Sequence, residues 1–219
     1  MSQTILFLLF NATLETLYMV VIASIFSAVI GLPLGIILFI TRPQHILAHP
    51  AIQHTLASLV NIARSIPFVI LLIAVIPFTR FLVGSSIGTN AAIVPLSLCE
   101  MPFLARVVES ALVDGNKGLI ETGSAMGATV QQIIIKILLP EAMPGIVNGF
   151  TLTIISLIGY SAMAGAVGGG GLGDLAIRYG YQRFDTGIML ETIFIMIIFV
   201  QSIQYFGDKI AKRFSRYKL

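Results

Sequence analysis

Residues 16–41 read TLYMVVIASIFSAVIGLPLGIILFIT, without a single charged side chain. A helix rises 1.5 Å per residue and satisfies its own backbone polar groups, so about 20 apolar residues cross a bilayer core. Residues 12–40 therefore predict a membrane span with length to spare for tilt. Near its end lies Gly31-Leu32-Pro33-Leu34-Gly35. Its small-xxx-small spacing lets another helix approach closely, while Pro33 in the middle equally suits a kink.

The rest of the chain agrees with a lipid environment. Of 219 residues, 57% are hydrophobic and 11% charged, with a mean hydropathy of +0.96. Soluble domains carry roughly a quarter charged residues. A soluble fold of this size leaves about 30% of its unfolded surface wet, too much to hide so apolar a chain. Arg42-Pro43 stops the first span. Four more follow, at residues 56–77 with Arg64 near the start, 91–112 carrying Glu100, Arg106 and Glu109, 145–164, and 187–206 before a basic tail. The expectation is an all-α integral membrane protein of five transmembrane helices, forming one domain over residues 1–219.

Orientation follows the distribution of Lys and Arg, which gather on the cytoplasmic side. With the N-terminus outside, that side holds Arg42, Arg64, Arg106, Lys117, Lys136, Lys209, Lys212, Arg213, Arg216 and Lys218, and the outer side only Arg80, Arg178 and Arg183. Lys and Arg near anionic lipid headgroups reinforce this sense. No Lys or Arg precedes Arg42, so the basic n-region of a cleaved signal is missing.

Several chemistries find little footing. No basic patch interleaved with aromatics points to nucleic acid. Cys99 is the only cysteine, leaving no internal disulfide or cysteine metal cluster. His45, His49 and His54 share one connector, but Pro50 interrupts any common helical face, so no metal site is expected. Gly168, Gly170 and Gly173 spell G-x-G-x-x-G, which marks a dinucleotide site only between a strand and a helix; a membrane span precedes it here. No G-x-x-x-x-G-K-[ST] occurs, so any ATP drive must come from another polypeptide. Glu100, Arg106, Glu109 and Glu191 fall in or near spans, where charge needs a partner or water. Arg106 and Glu109, three apart, can pair on one face. A proton relay through such carboxyls would instead describe an ion- or proton-coupled carrier of a small amino acid, with inverted repeats.

Residues 113–141 form a cytoplasmic loop in this topology. It predicts two short helices. The first, over 119–126, stops at Gly127, where a left-handed backbone costs glycine least. Thr129 and Gln132 match a capping box for the second, which carries Ile133, Ile134, Ile135, Ile137 and Leu138 and ends at Pro140. A surface-lying amphipathic segment is one reading. A knob docking into a groove of a partner is the other.

The spacing within ETGSAMGATVQQIIIKILLP (121–140) is similar to the coupling motif of ABC-importer permeases: E-A-A, three residues, G, nine residues, I, one residue, L-P. Glu121, Gly127, Ile137, Leu139 and Pro140 match it, and Thr122 and Gly123 replace the two alanines. The runs NIARSIPFVILLIAVIPFTR (61–80), SIGTNAAIVPL (86–96) and GYSAMAGAVGGGGLGDLAIRYGY (159–181) resemble the methionine-uptake permeases of bacteria over nearly the whole chain.

The resemblance implies an ABC type I importer permease fold with cytoplasmic coupling helices in the bacterial inner membrane. It implies a second copy of the chain, two ATPase subunits that bind ATP and Mg on the cytoplasmic side, and an extracytoplasmic substrate-binding protein, with no cofactor on this chain and no covalent chemistry. It assigns ATPase coupling to Glu121, Gly127, Ile137, Leu139 and Pro140. Tyr160, Ser161 and Met163, followed by glycines, are the expected pathway wall or gate; adaptable Met163 suits a pore plug, and ordinary packing by small residues is the competing reading.

Overall fold

The computed structural model describes residues 3–43, 45–115 and 118–215, all helices and connectors. Helix α1 runs Gln3–Ile40, α2 Pro50–Ser65, α3 Phe68–Ala74, α4 Ile76–Val83 and α5 Thr89–Gly115. After α6 (Leu119–Ala125) and α7 (Val130–Gln132), a π-helical turn over Ile133–Leu138 leads into α8 (Leu139–Ala166). Short α9 (Gly171–Leu175) and a second π turn (Ala176–Tyr181) precede α10 (Thr186–Ser215). Of the cytoplasmic basic residues expected above, Lys117, Arg216 and Lys218 lie outside the described residues.

Among the described residues, four helical stretches are long and apolar enough to cross a membrane: Ile5–Ile40, Thr89–Gly115, Val130–Ala166 and Thr186–Ser215. A fifth crossing requires α2 and α3 together, and they bend by 100° at their junction. The span expected over 56–77 is thus sharply bent within its length. Pro67 is the cause: it offers no N–H to the helix and drives the preceding residue out of helical geometry, and it sits extended (φ −58°, ψ 137°) as the N-cap of α3.

The chain divides into two compact units, each assembled from three separate segments. The first draws on the chain up to Phe26, on Ile66–Glu100 and on Thr153–Gln204. Its core joins Met19, Ala23, Leu96, Leu157 and Ala164. A neighbouring cluster packs Leu9 and Ala12 of α1 on Leu172, Leu175 and Ile188. The glycine-rich turn is pinned inside this unit: Gly171 N–H donates to Glu15 Oε2 at 2.7 Å and Leu172 N–H to Thr16 Oγ1 at 2.8 Å. Glu15, the lone charge before residue 42, is thereby explained.

The second unit draws on Ser27–Ser65, on Met101–Leu152 and on the chain from Tyr205 onward. Here the close-approach reading of Gly31 and Gly35 holds. A β-carbon on Gly31 would lie 3.0 Å from the Met101 carbonyl oxygen, and one on Gly35 2.7 Å from Val108 Cβ. Pro33 stays inside α1. Backbone contact of this kind packs helices where lipid gives no hydrophobic drive between them. Outward-facing Phe7, Val29, Ile62 and Phe194 are each more than half exposed, as side chains turned to lipid are.

Candidate functional site

The segment from Leu119 to Leu139 belongs to the second unit and folds as the expected helical hairpin. Met126 caps α6. Gly127 follows with φ +76°, its N–H donating to Ser124 O at 3.0 Å while Ala128 N–H donates to Gly123 O at 3.0 Å. That pair of bonds is a Schellman stop, which satisfies carbonyls the helix end leaves open. The next arm starts on the predicted box: Gln132 N–H reaches Thr129 Oγ1 at 3.4 Å, and Thr129 N–H reaches Gln132 Oε1 at 2.9 Å. Glu121 is exposed in the first turn of α6, where a negative charge suits the helix dipole.

The expected stop at Pro140 is not found. The second arm continues through it into α8. Proline removes one hydrogen bond and crowds the carbonyl four residues back. The chain absorbs both by widening the preceding turn: Leu139 N–H donates to Ile134 O, five residues back. Local π geometry of this kind reconciles proline with a continuing helix.

Ile137 and Leu139 are half-buried and face inward. Together with buried Ile133 and Leu138, they join a core of Val108, Ala111 and Leu112 from α5 and Ala142 and Ile146 from α8. The two arms meet at Gly123, where an added β-carbon would stand 2.9 Å from Ile137 Cδ1. The outward surface is carried instead by Met126, 81% exposed, and Ile135, 60% exposed. The sequence pattern does not separate inner from outer positions, because the second arm is apolar nearly all round.

The residues expected to line the pathway, Tyr160, Ser161 and Met163, lie on α8 in the first unit. Tyr160 stacks on Phe68 with centroids 4.8 Å apart and planes 14° from parallel. Ser161 is buried, and its hydroxyl donates to Ile158 O at 2.7 Å. Met163 is about half exposed, and Gly159 on the same helix has open space beside it. Gly168, Gly170 and Gly171 all have positive φ in the turn between α8 and α9, a helical setting unlike the strand-to-helix turn of a dinucleotide site. His49 Nδ1 accepts from Ile52 N–H at the start of α2, while His45 packs edge-on against Phe39 at 4.6 Å. Among the described residues no group of three or more His, Cys, Asp or Glu side chains is placed to hold a metal ion.

The three-residue spacing predicts the pairing of Arg106 with Glu109, and the structure adds the network they belong to. Glu109 is buried and bridges two arginines, Arg42 at 3.0 Å and Arg106. The Arg106 guanidinium also donates to Ala57 O at 3.0 Å and Asn61 Oδ1 at 2.9 Å. The available signal was Arg42 standing directly after the charge-free run of residues 16–41.

Residues 2–216 match the family model described as a binding-protein-dependent transport system inner membrane component. The chain is 51% identical over 206 residues to the probable D-methionine transport system permease protein MetI of Vibrio cholerae, covering 94% of this chain and 92% of that one. It is 53% identical over 165 residues to the D-methionine transport system permease protein MetI of Escherichia coli K12, covering 75% and 76% respectively. Among solved structures, a chain of the MetNI methionine ABC transporter in an inward-facing conformation superposes with a TM-score of 0.96 at 50% identity, over 98% of this chain and 99% of that one. An amino acid ABC transporter chain at 16% identity shares the fold with a TM-score of 0.71, over 96% and 94% of the two chains.

Proposed function

The chain belongs to the binding-protein-dependent transport system inner membrane components, and from that premise we propose how it works and with what. It is the permease subunit of an ATP-driven methionine importer of the inner membrane. It acts as one transmembrane domain beside a second copy of itself, with the pathway between them. Two ATPase subunits sit on the cytoplasmic side, and a binding protein delivers methionine from outside. The N-terminus lies outside and the C-terminus in the cytoplasm, the sense that puts ten of thirteen Lys and Arg inside. The carrier reading driven by ions or protons is set aside, because close relatives over nearly the full chain are ABC permeases.

ATP and Mg bound to the ATPase subunits supply the free energy of the cycle. This chain contributes a handle. Met126 and Ile135 present an apolar contact surface to the ATPase, a helix-in-groove arrangement, and Glu121 offers a charge to a basic group beside it. Gly127 sets the turn, while Ile137, Leu139 and Pro140 hold the second arm against α5 and continue it into α8. Movement of the hairpin favours one of two permease states through the differing affinities of the partners for them. On α8, Met163 closes the pathway, Tyr160 is braced on Phe68, and Ser161 lends helix packing.

The observation that carries this reading is the prefolded hairpin with its exposed Met126–Ile135 surface, in a chain that aligns end to end with a methionine ABC permease. The experiment is reconstitution of the permease with its ATPase and binding protein in vesicles, followed by labelled methionine. Accumulation that needs ATP and the binding protein supports the assignment. Accumulation driven by a proton gradient without ATP overturns it.

A further inference from the structure

Helix α5 bears two different contacts on its two sides within the second unit. One side, Val108, Ala111 and Leu112, holds Ile133 and Leu138 of the hairpin. On the other, Glu109 faces Arg42, just past the end of α1, and Arg106. Arg106 extends the chain of contacts to α2 through Ala57 and Asn61. The Glu109 side chain is 3% exposed against 35% for Arg42. One carboxylate thus pairs with two guanidiniums, using a separate oxygen for each, and the three groups together keep one net positive charge. An isolated buried charge is costly, so such a carboxylate is retained with its partners or not at all. Gly31 brings α1 against α5 at Met101 and Leu104, and Gly35 at Ala105 and Val108.

We propose that Glu109 is a positioning residue for energy coupling: its carboxylate clamps the hairpin-bearing helix α5 to the end of α1 and, through Arg106, to α2. A push on the hairpin then displaces three helices together and is not dissipated in α5 alone. The inference rests on the coupling role assigned to the hairpin above. It predicts a selective loss. Without the clamp, the ATPase still closes on the hairpin, but less of that movement reaches the helices of the pathway.

The test uses the complete reconstituted importer and reads methionine accumulated per ATP hydrolysed, per assembled complex. Glu109→Gln is expected to lower this ratio at least fivefold. Arg42→Gln removes one arm at a third-exposed position and is expected to lower it two- to fivefold; it carries the test if Glu109→Gln does not assemble. Arg42→Lys restores the charge and is expected to stay within twofold of wild type. A merely structural role would reduce the amount of complex and leave the ratio of the assembled fraction unchanged, and that result overturns the proposal. Absence of ATP-driven uptake in the wild type would instead overturn the importer reading itself.

Discussion

Gly123 and Ile137 lie so close that a β-carbon on the glycine would stand 2.9 Å from the isoleucine's Cδ1. The two arms of the hairpin therefore touch through a position with no side chain. The near atom is the tip of a flexible chain, so a methyl can be accommodated by a small rotation, and the family pattern carries alanine there. A larger side chain would pry the arms apart, with overpacking that costs about 1–3 kcal/mol. Gly123→Ala should keep methionine uptake near wild type, and Gly123→Leu should abolish it while membrane levels persist. Normal uptake by the leucine variant would remove the requirement for a closed hairpin.

Gly127 differs in kind. Nothing stands within 4 Å of an added β-carbon, but φ is +76°, where a side chain costs about 1–2 kcal/mol. Gly127→Asp should abolish uptake with the protein still in the membrane. Gly127→Asn, which tolerates this conformation better, should retain more activity. Amide exchange at Ala128, whose N–H closes the turn on Gly123, should accelerate in the order Gly, Asn, Asp. An unchanged exchange rate in the aspartate variant would show that the turn does not depend on glycine.

The capping box gives an independent handle. Thr129→Ala removes the acceptor for Gln132 N–H, at a cost of about 1 kcal/mol. Hydrogen exchange over 130–133 should rise severalfold, with little change near Gly123. Equal protection in the variant would mean that the second arm is held only by its packing on α5.

His45 supplies a pH dependence. Burial first, and the nearby Arg42 charge second, hold its pKa below the ordinary 6.5. The folded protein thus prefers the neutral ring. Its contribution is complete above pH 6.5 and is lost as pH falls below it toward the depressed folded value. Stability of the purified permease should decline with acidification through this window, and His45→Phe should flatten the decline. A histidine resonance titrating at or above 6.5 would contradict the depressed value.

Met163 tests the gate. It is half exposed on α8, and its unbranched thioether can fill an irregular gap. Met163→Ala should raise basal ATP turnover or methionine leak in vesicles, whereas Ser161→Ala, at a buried hydroxyl bonded within its own helix, should change leak less. Identical leak in both variants and wild type would move the gate elsewhere.

Much of the site was legible because its signals are local. Gly127 ends a helix by backbone geometry, and Thr129 and Gln132 cap one by hydrogen bonds three residues apart. Pro140 misled for the same reason. Proline ends a helix by local rule, but the π turn at Ile133–Leu138 and packing on α5 supply a longer-range solution. Pro67, which breaks the second span, stands in an apolar run whose hydropathy is continuous across it.

The chain's composition and its long apolar runs determined that it lives in lipid and is helical, because the polar groups of a backbone in hydrocarbon must bond to one another, and runs of about 20 apolar residues do so as helices. Local spacing determined where the hairpin turns. Only the tertiary structure decided that Ile137 and Leu139 face inward while Met126 and Ile135 face out, and that Glu109 joins Arg42, 67 positions earlier in the chain. Those choices depend on which helices pack side by side, and a one-dimensional pattern of apolar residues does not encode which neighbour a face will meet.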